Sequence, residues 1–196
     1  GNWATPFIEG AVNLAGGNDG LKVGSEGNYA YVIRSGGSTN FATIDIATPG
    51  NPFLAGQAAL PNNLQNIAIS VPYAYITSTN NSQEAEIINI ASAALPAQVG
   101  SYDAPGSASA EGVFLEGQTL YFTRRTSSQN EFFIINVTDP TSPVLLGSLN
   151  LPTDSSEIVA LGIHAYIATS SNTQELLVVN VSNPSSPSVV ASLNLP

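Results

Sequence analysis

Residues 176–196, LLVVNVSNPSSPSVVASLNLP, are the most informative stretch of this chain, because close copies of them recur. The nearest copy is FFIINVTDPTSPVLLGSLNLP at residues 132–152, and looser copies occupy residues 41–61 and 85–105. In every copy an apolar run ends in Asp or Asn and is followed by a turn containing proline and a second short run. The chain is therefore an array of repeats with a period of 44 to 47 residues, measured between Asp45, Asn89, Asn136 and Asn180.

A second recurring pattern lies upstream of each copy and adds two more strands to the unit. In it, apolar residues alternate around a tyrosine: GNYAYVI (27–33), VPYAYIT (71–77), GQTLYFT (117–123) and GIHAYIA (162–168). A further apolar run precedes each of these, so every repeat has four short runs separated by Gly, Pro, Asn or Ser. Helical periodicity of useful length is missing from the sequence, which therefore predicts an all-β fold.

Four short strands in about 45 residues, repeated, are typical of the blades of a β-propeller. One four-stranded sheet cannot bury both of its faces, but blades packed around an axis bury each other's apolar side chains. The tyrosines that recur by repeat position are expected to pack between blades. We predict a single β-propeller domain over residues 1–196, with four-stranded blades at about 17–61, 62–105, 106–152 and 153–196.

The N-terminal residues complicate the closure of this propeller. PFIEGAVNLAG at residues 6–16 matches the last run of a repeat, so residues 1–16 are predicted to form a strand whose own repeat is incomplete. Together with sixteen strands in the repeats, this is one strand more than four blades need. We expect a closed, monomeric ring of four blades in which one end strand replaces another. An arc of a larger ring and a symmetric pair of arcs are the alternatives.

The copies at residues 132–148 and 176–192 resemble the LVIVD repeat, a β-propeller repeat of bacterial and archaeal surface proteins. That repeat has an aliphatic run ending in Asp or Asn, a small turn with prolines and a V-G-S run, and a G-x-x-A-Y-V strand precedes it. The resemblance extends over essentially the whole chain, although Ala93 replaces the first proline of the second copy. It implies a propeller, an extracellular setting and a binding role, and it supplies no catalytic residues.

Composition narrows the classes of function. The chain has 4 basic and 14 acidic residues and a formal net charge of -10, which disfavours binding to nucleic acid or anionic membranes. It has no cysteine for disulfides, thiol catalysis or zinc–thiolate sites. Because no run approaches the ~20 apolar residues of a membrane span, we expect no membrane insertion by this segment. Low charge with much Ser, Thr, Asn, Gly and Pro favours an extracellular or cell-surface location.

Candidate ligand-binding residues lie where the inner strands of the predicted blades begin, at the mouth of the central channel. Asp19, Glu111 and Glu157 fall within one register step of each other; they could hold Ca²⁺, or they could be solvated strand ends. Arg34 and Arg124 occupy equivalent positions and could recognise an anion or a glycan carboxylate, or form surface salt bridges. No cofactor other than Ca²⁺ is expected.

The sequence favours a binding module over an enzyme. His164 is the only histidine, it lies in a predicted turn, and no Gly-x-Ser-x-Gly motif accompanies it, so we expect no catalytic residues. The leading hypothesis is a non-enzymatic extracellular interaction or adhesion module for a protein or glycan ligand. A more specific version of it is the exposed head of a pilin-like or membrane-anchored subunit. The alternatives are a glycan-active enzyme that uses acids at the channel mouth, and an inert structural spacer.

Overall fold

The computed structural model describes residues 7–61 and 63–195, which form four antiparallel sheets of four strands each and contain no helix. The four strands of a sheet are consecutive in the chain and adjacent in space, so each sheet is one blade. Blades 1 and 2 consist of β1 (Gly20–Glu26), β2 (Tyr29–Arg34), β3 (Phe41–Asp45), β4 (Phe53–Ala58), β5 (Leu64–Ser70), β6 (Tyr73–Ser78), β7 (Ala85–Asn89) and β8 (Ala97–Tyr102). Blades 3 and 4 consist of β9 (Ala110–Glu116), β10 (Thr119–Arg124), β11 (Phe132–Asn136), β12 (Val144–Leu149), β13 (Ser155–Leu161), β14 (His164–Thr169), β15 (Leu176–Asn180) and β16 (Ser188–Leu193). The all-β prediction is confirmed.

The Asp or Asn that ends the third strand of each blade shapes the turn that follows. Its side-chain Oδ1 accepts a hydrogen bond from the backbone N–H two residues further on, at 2.8–2.9 Å in all four blades. Asp and Asn both carry this oxygen, and both are typical of such turns because the side chain substitutes for a backbone acceptor. The repeat therefore tolerates either residue at this position.

A second side-chain hydrogen bond ties the end of each blade to its centre. The residue just before the third strand accepts a hydrogen bond from a backbone N–H twenty residues later, just beyond the fourth strand. This satisfies a donor that would otherwise be left without a partner as the chain leaves the sheet. The pairs are Asn40 with Leu60, Glu84 with Ala104, Glu131 with Leu151 and Glu175 with Leu195, at 2.7–3.0 Å. Sequence analysis missed this position, although an Asn or Glu before the third run marks it in every repeat.

Consecutive blades share apolar cores, each built by two different faces. The face that carries the recurrent tyrosine packs against the opposite face of the next blade, which carries Ala, Leu, Ile or Phe at the matching positions. The expected packing of tyrosines between blades is therefore confirmed at the three interfaces within the chain. The contributing residues are Tyr31 against Ala74 and Ile76, Tyr75 against Leu120 and Phe122, and Tyr121 against Ala165 and Ile167.

The inner strands β1, β5, β9 and β13 pack side by side in chain order. Closure of this series into a ring is not shown by the described residues. The first and last inner strands approach each other through one ion pair, between Lys22 Nζ and Glu157 Oε2 at 3.5 Å. The four blades, packed in chain order, are therefore established.

The strand predicted over residues 1–16 is not formed in its described part, residues 7–16; residues 1–6 lie outside the described residues. An extended segment becomes a strand only when its backbone pairs with a neighbour. Residues 7–16 run along blade 1, with Gly10 next to the carbonyl of Pro49. Within the part of the chain that the structure describes, no strand pairs with them.

Candidate functional site

The inner strands all begin at the same end of the propeller, which we call the mouth end. Because the strands of each blade alternate in direction, the loops between the second and third strands and the linkers between blades also lie there. The tight turns between the first and second strands lie at the opposite end. The mouth end therefore gathers the longer, more polar connections, which in most folds carry binding residues.

One carboxylate at the mouth end ties three blades together. Glu157 accepts two hydrogen bonds from Asn66 Nδ2, at 3.0 and 2.9 Å, and lies 3.5 Å from Lys22 Nζ. These three residues follow the bulge at the start of β13, β5 and β1, so they share one register position. Gly112 holds that position on β9, where a Cβ would lie 2.9–3.0 Å from the backbone of Glu157. Only glycine allows β9 and β13 to approach so closely.

A second carboxylate pairs with an exposed arginine on the rim. Arg125 Nε donates to Glu111 Oε1 at 2.5 Å, and the hydrogen bond raises the pKa of Arg125. The Arg125 side chain remains 66% exposed. On the same loop the backbone N–H of Thr126 donates to Asp154 Oδ1 at 2.6 Å, which lowers the pKa of Asp154. Arg125 is thus a basic group that a ligand at the mouth end can reach.

The three candidate carboxylates do not converge, as the calcium interpretation of them would require. Glu111 belongs to the bulge of β9 and is held by Arg125, while Glu157 turns to Asn66 and Lys22. Asp19 is exposed, and its backbone pairs with Ser35. Across residues 7–61 and 63–195, no group of three or more acidic or histidine side chains is placed to hold a metal ion. These acids lie at one end of the molecule because each is near the start of an inner strand, but their side chains do not meet.

Arg34 and Arg124 do not belong to a ligand site, because both are buried, at 2% and 0% exposure. Each guanidinium donates to backbone carbonyls of its own loop and of the preceding linker. Arg34 reaches Thr39 and Ala15, at 3.2 and 2.8 Å. The loops that follow each second strand bury these side chains, so neither can contact a ligand at the mouth end. Of the salt bridges offered as the alternative, Arg124 makes one, but with the buried Glu84.

Arg124 makes the more extensive set of interior contacts. Its Nε donates to the carbonyl of Asn130 at 2.7 Å and its Nη2 to that of Pro105 at 2.5 Å. The guanidinium lies 4.9 Å from the ring centre of Phe133, and Nη1 is 3.9 Å from the equally buried Glu84 Oε1. Burial lowers the pKa of Arg124 and raises that of Glu84. This arginine holds blades 2 and 3 together.

Among the clefts at the mouth end, two are large and polar. The cleft at blade 2 lies between the loops of blades 1 and 2 and the linker that joins them, and the cleft at blade 3 lies between the loop of blade 3 and the linker before it. The cleft at blade 2 has a volume of about 520 Å³ and the one at blade 3 about 460 Å³. Amide, hydroxyl and backbone groups line both, and Arg125 borders the second. Sequence analysis missed these clefts, although runs rich in Ser, Thr, Asn and Gly mark them. The polar side chains that line them include Asn63, Thr79 and Asn81 in the first cleft, and Ser107, Ser109 and Ser128 in the second.

Four consecutive four-stranded sheets that pack through their inner strands define a β-propeller. The model of the LVIVD repeat matches residues 19–59, 126–151 and 152–194, which is more than half of the chain. The chain belongs to the LVIVD repeat family. The second repeat, which has Ala93 in place of a turn proline, falls outside the matched residues.

Solved structures share this fold at low sequence identity. A periplasmic gluconolactonase of Pseudomonas aeruginosa is 18% identical, with a TM-score of 0.73 over 90% of this chain and 53% of that one. A protein from Lactobacillus plantarum is 13% identical, with a TM-score of 0.73 over 88% and 55%. The computationally designed Ika4 protein is 9% identical, with a TM-score of 0.68 over 90% and 99%. The chain thus spans about half the length of the two natural proteins, and these likenesses concern the fold alone. No curated protein matches the chain by sequence.

Proposed function

We propose that this chain is a non-enzymatic, extracellular binding module whose mouth end recognises a hydroxyl-rich ligand, such as a surface glycan. The pair of polar clefts that flank the loops of blades 2 and 3 carries the proposal. Amide, hydroxyl and backbone groups offer both donors and acceptors, which is what sugar hydroxyls require. The exposed Arg125 beside the second cleft adds a forked donor for a carboxylate on such a glycan.

The contacts of the mouth carboxylates favour binding over catalysis. Glu157 accepts from Asn66 and from the backbone N–H of Ile158, and Glu111 pairs with Arg125. To act on a substrate as an acid, base or nucleophile, each carboxylate would have to leave these partners. The same contacts position the inner strands, so a role in holding the mouth in shape accounts for them.

A location outside the cell completes the proposal. It is supported by the low charge of the chain, by the surface proteins in which the LVIVD repeat occurs, and by the periplasmic setting of one protein with the same fold. Within the described residues, no helix is long and apolar enough to cross a membrane. We propose that the module is displayed as the head of a pilin-like or membrane-anchored subunit. Cell fractionation followed by intact-mass analysis of the native protein tests this: an apolar segment joined to the module supports it, and a cytoplasmic protein contradicts it.

A glycan array, followed by titration of each hit, tests ligand recognition. Asn81→Ala and Ser128→Ala each remove an exposed side chain from one cleft, and Arg125→Gln removes the rim cation. We expect Arg125→Gln to weaken binding of an acidic glycan about tenfold or more, as the loss of a charged hydrogen bond does. The matched control is Lys22→Gln, which removes the same charge beside Glu157 and should leave binding unchanged. An array without hits, or hits that no cleft variant weakens, would overturn the proposal.

A glycan-active or lactone-active enzyme is the second candidate. It is favoured by two acids at the mouth end, Glu111 and Glu157, and by the gluconolactonase among the structures with this fold. The chain should then turn over a member of a panel of sugar lactones and glycosides, and Glu157→Gln or Glu111→Gln should abolish that turnover. Such a result would replace the binding proposal, whereas binding without turnover supports it.

A further inference from the structure

The two end faces of the blade array have the same chemistry as the internal faces, but they are exposed. On the last face of blade 4, Val159 is 50% and Leu161 74% exposed, and Tyr166 is only half-buried, while its three equivalents are 2–5% exposed. On the first face of blade 1, Val23 is 66% exposed, whereas its equivalents Val113 and Ile158 are 5% and 2% exposed. At each of the three interfaces between consecutive blades, the tyrosine face of one blade packs against the aliphatic face of the next, which is the face that carries Val23 in blade 1.

The N-terminal segment Phe7–Ala15 occupies a defined place in this pattern. A Cβ on Gly10 would overlap the carbonyl oxygen of Pro49, in the turn between the third and fourth strands of blade 1. The glycines of the fourth strands of blades 1 to 3 meet the same turn of the next blade in the same way. The equivalent contacts are Gly56 with Ala93, Gly100 with Pro140 and Gly147 with Pro184.

The arginine contacts give the same placement independently. Arg34 donates to the carbonyl of Ala15 at 2.8 Å, and the equivalent Arg124 donates to that of Pro105 at 2.5 Å. Pro105 follows the fourth strand of the blade before Arg124. Phe7–Ala15 therefore lies where the fourth strand of a blade preceding blade 1 belongs.

This placement is incompatible with a ring of these four blades. In such a ring blade 4 would precede blade 1, and its fourth strand β16 would need the place that Phe7–Ala15 fills. β16 instead pairs with β15 along Ser188–Leu193, as the fourth strand of its own blade. Two segments cannot occupy one place, so the four blades form an arc.

We propose that further blades of the same repeat complete this arc, and that the last of them has three strands of its own and takes Phe7–Leu14 as its fourth. The interfaces between the four described blades indicate which residues these further blades must present. It presents a tyrosine face to Val23 and Val32, and it carries an Asn or Glu before its third strand to accept from the N–H of Leu14. On the other side, a face of Ala and aliphatic residues covers Val159 and Tyr166. The two natural proteins compared above are about 1.6–1.7 times as long as this chain, which leaves room for such blades.

Engineered cysteine pairs distinguish an arc from a four-bladed ring, because the chain has no cysteine of its own. A Cβ on Gly24 would contact Ile69 between blades 1 and 2. In a closed ring blade 4 would pack against blade 1, and the positions equivalent to Gly24 and Ile69 at that interface are Val159 and Ser25. V159C with S25C would therefore form an intramolecular disulfide in a closed ring. We expect none under mild oxidation, whereas the control A68C with L115C, at the interface of blades 2 and 3, should crosslink. An intramolecular V159C–S25C bond overturns the arc, and an intermolecular one shows that a second copy covers these faces instead.

Amide hydrogen exchange on the native protein, purified from its cells, tests the acceptor role of Phe7–Leu14. Unpaired amides exchange freely, and amides in a sheet are protected. We expect exchange of Phe7–Leu14 to be at least about 100-fold slower in the native protein than in the 196-residue chain, with β3 as an equally protected reference in both. A native protein without further repeats, or one with freely exchanging Phe7–Leu14, overturns the proposal whatever ligand the mouth end binds.

Discussion

Replacing Arg124 with methionine should be among the most destabilising single changes in this protein. The side chain is fully buried and contacts two backbone carbonyls, the ring of Phe133 and the buried carboxylate of Glu84. Methionine keeps the aliphatic stem and the apolar packing, but it removes every donor. The carbonyls of Asn130 and Pro105 then lose their partners, and Glu84 loses its counter-ion.

The expected loss of stability follows from the burial of Arg124 and Glu84. Breaking a buried ion pair by removing one member costs about 3–5 kcal/mol, because the remaining charge stays in the interior without compensation. This is a large share of the ~5–15 kcal/mol that stabilises a typical domain. A second substitution, Glu84→Gln, removes the buried charge that has lost its partner. The free energy of unfolding of R124M/E84Q should therefore exceed that of R124M by at least about 1 kcal/mol.

Urea unfolding followed by far-UV circular dichroism measures these differences. Arg125→Met is the matched control, because it makes the same substitution at the adjacent residue. The Arg125 side chain is 66% exposed, so water can replace much of what its ion pair with Glu111 provides, and the loss should be about 0–1 kcal/mol. Equal losses for R124M and R125M, or an R124M loss below about 1 kcal/mol, would refute the structural role of Arg124.

Three further substitutions test the repeat architecture. Glu131→Ala should cost about 1–3 kcal/mol in urea unfolding, because it leaves the buried N–H of Leu151 without an acceptor, whereas Glu131→Gln keeps an acceptor oxygen and should cost less. Gly147→Ala should cost about 1–3 kcal/mol because its Cβ would overlap the turn of blade 4, whereas Gly20→Ala, with its nearest neighbour at 3.7 Å, should be nearly neutral. Burial raises the pKa of Glu84 in the folded state. At a pH between the pKa of the unfolded state and that of the folded state, folding is therefore accompanied by uptake of a proton. The free energy of unfolding should therefore fall, relative to that of E84Q, as the pH rises from the ordinary glutamate pKa of 4.5 to above the folded value; a pH-independent difference would contradict this.

The repetitive part of the structure could be predicted from sequence because one physical rule acts four times. Alternating apolar runs with polar turns gave the four strands of each blade, and the recurrence of Tyr31, Tyr75 and Tyr121 gave their packing between blades. These features depend on local pattern and on contacts with an equivalent neighbour. A single repeat therefore contains most of the information needed for them.

The site could not be predicted in the same way, because it depends on connections that differ between repeats. Arg124 and Arg125 are adjacent in sequence, but the linker carbonyls bury the first and leave the second exposed. The bulge at the start of β9 directs Glu111 towards Arg125, so its register alone gave the wrong neighbours. Likewise, the sequence indicated one strand too many at the N-terminus, but only the contact of Gly10 with Pro49 shows where in the blade array that segment lies.

An experimental structure of the native protein, at a resolution that separates strands about 4.8 Å apart, would test the central claim most directly. The arc predicts more than four blades, with Phe7–Leu14 hydrogen-bonded as the fourth strand of the blade that precedes blade 1. The mouth end of those blades would then form one continuous face with the two polar clefts. A ring of four blades in which β16 packs beside the turn at Pro49 would contradict the account.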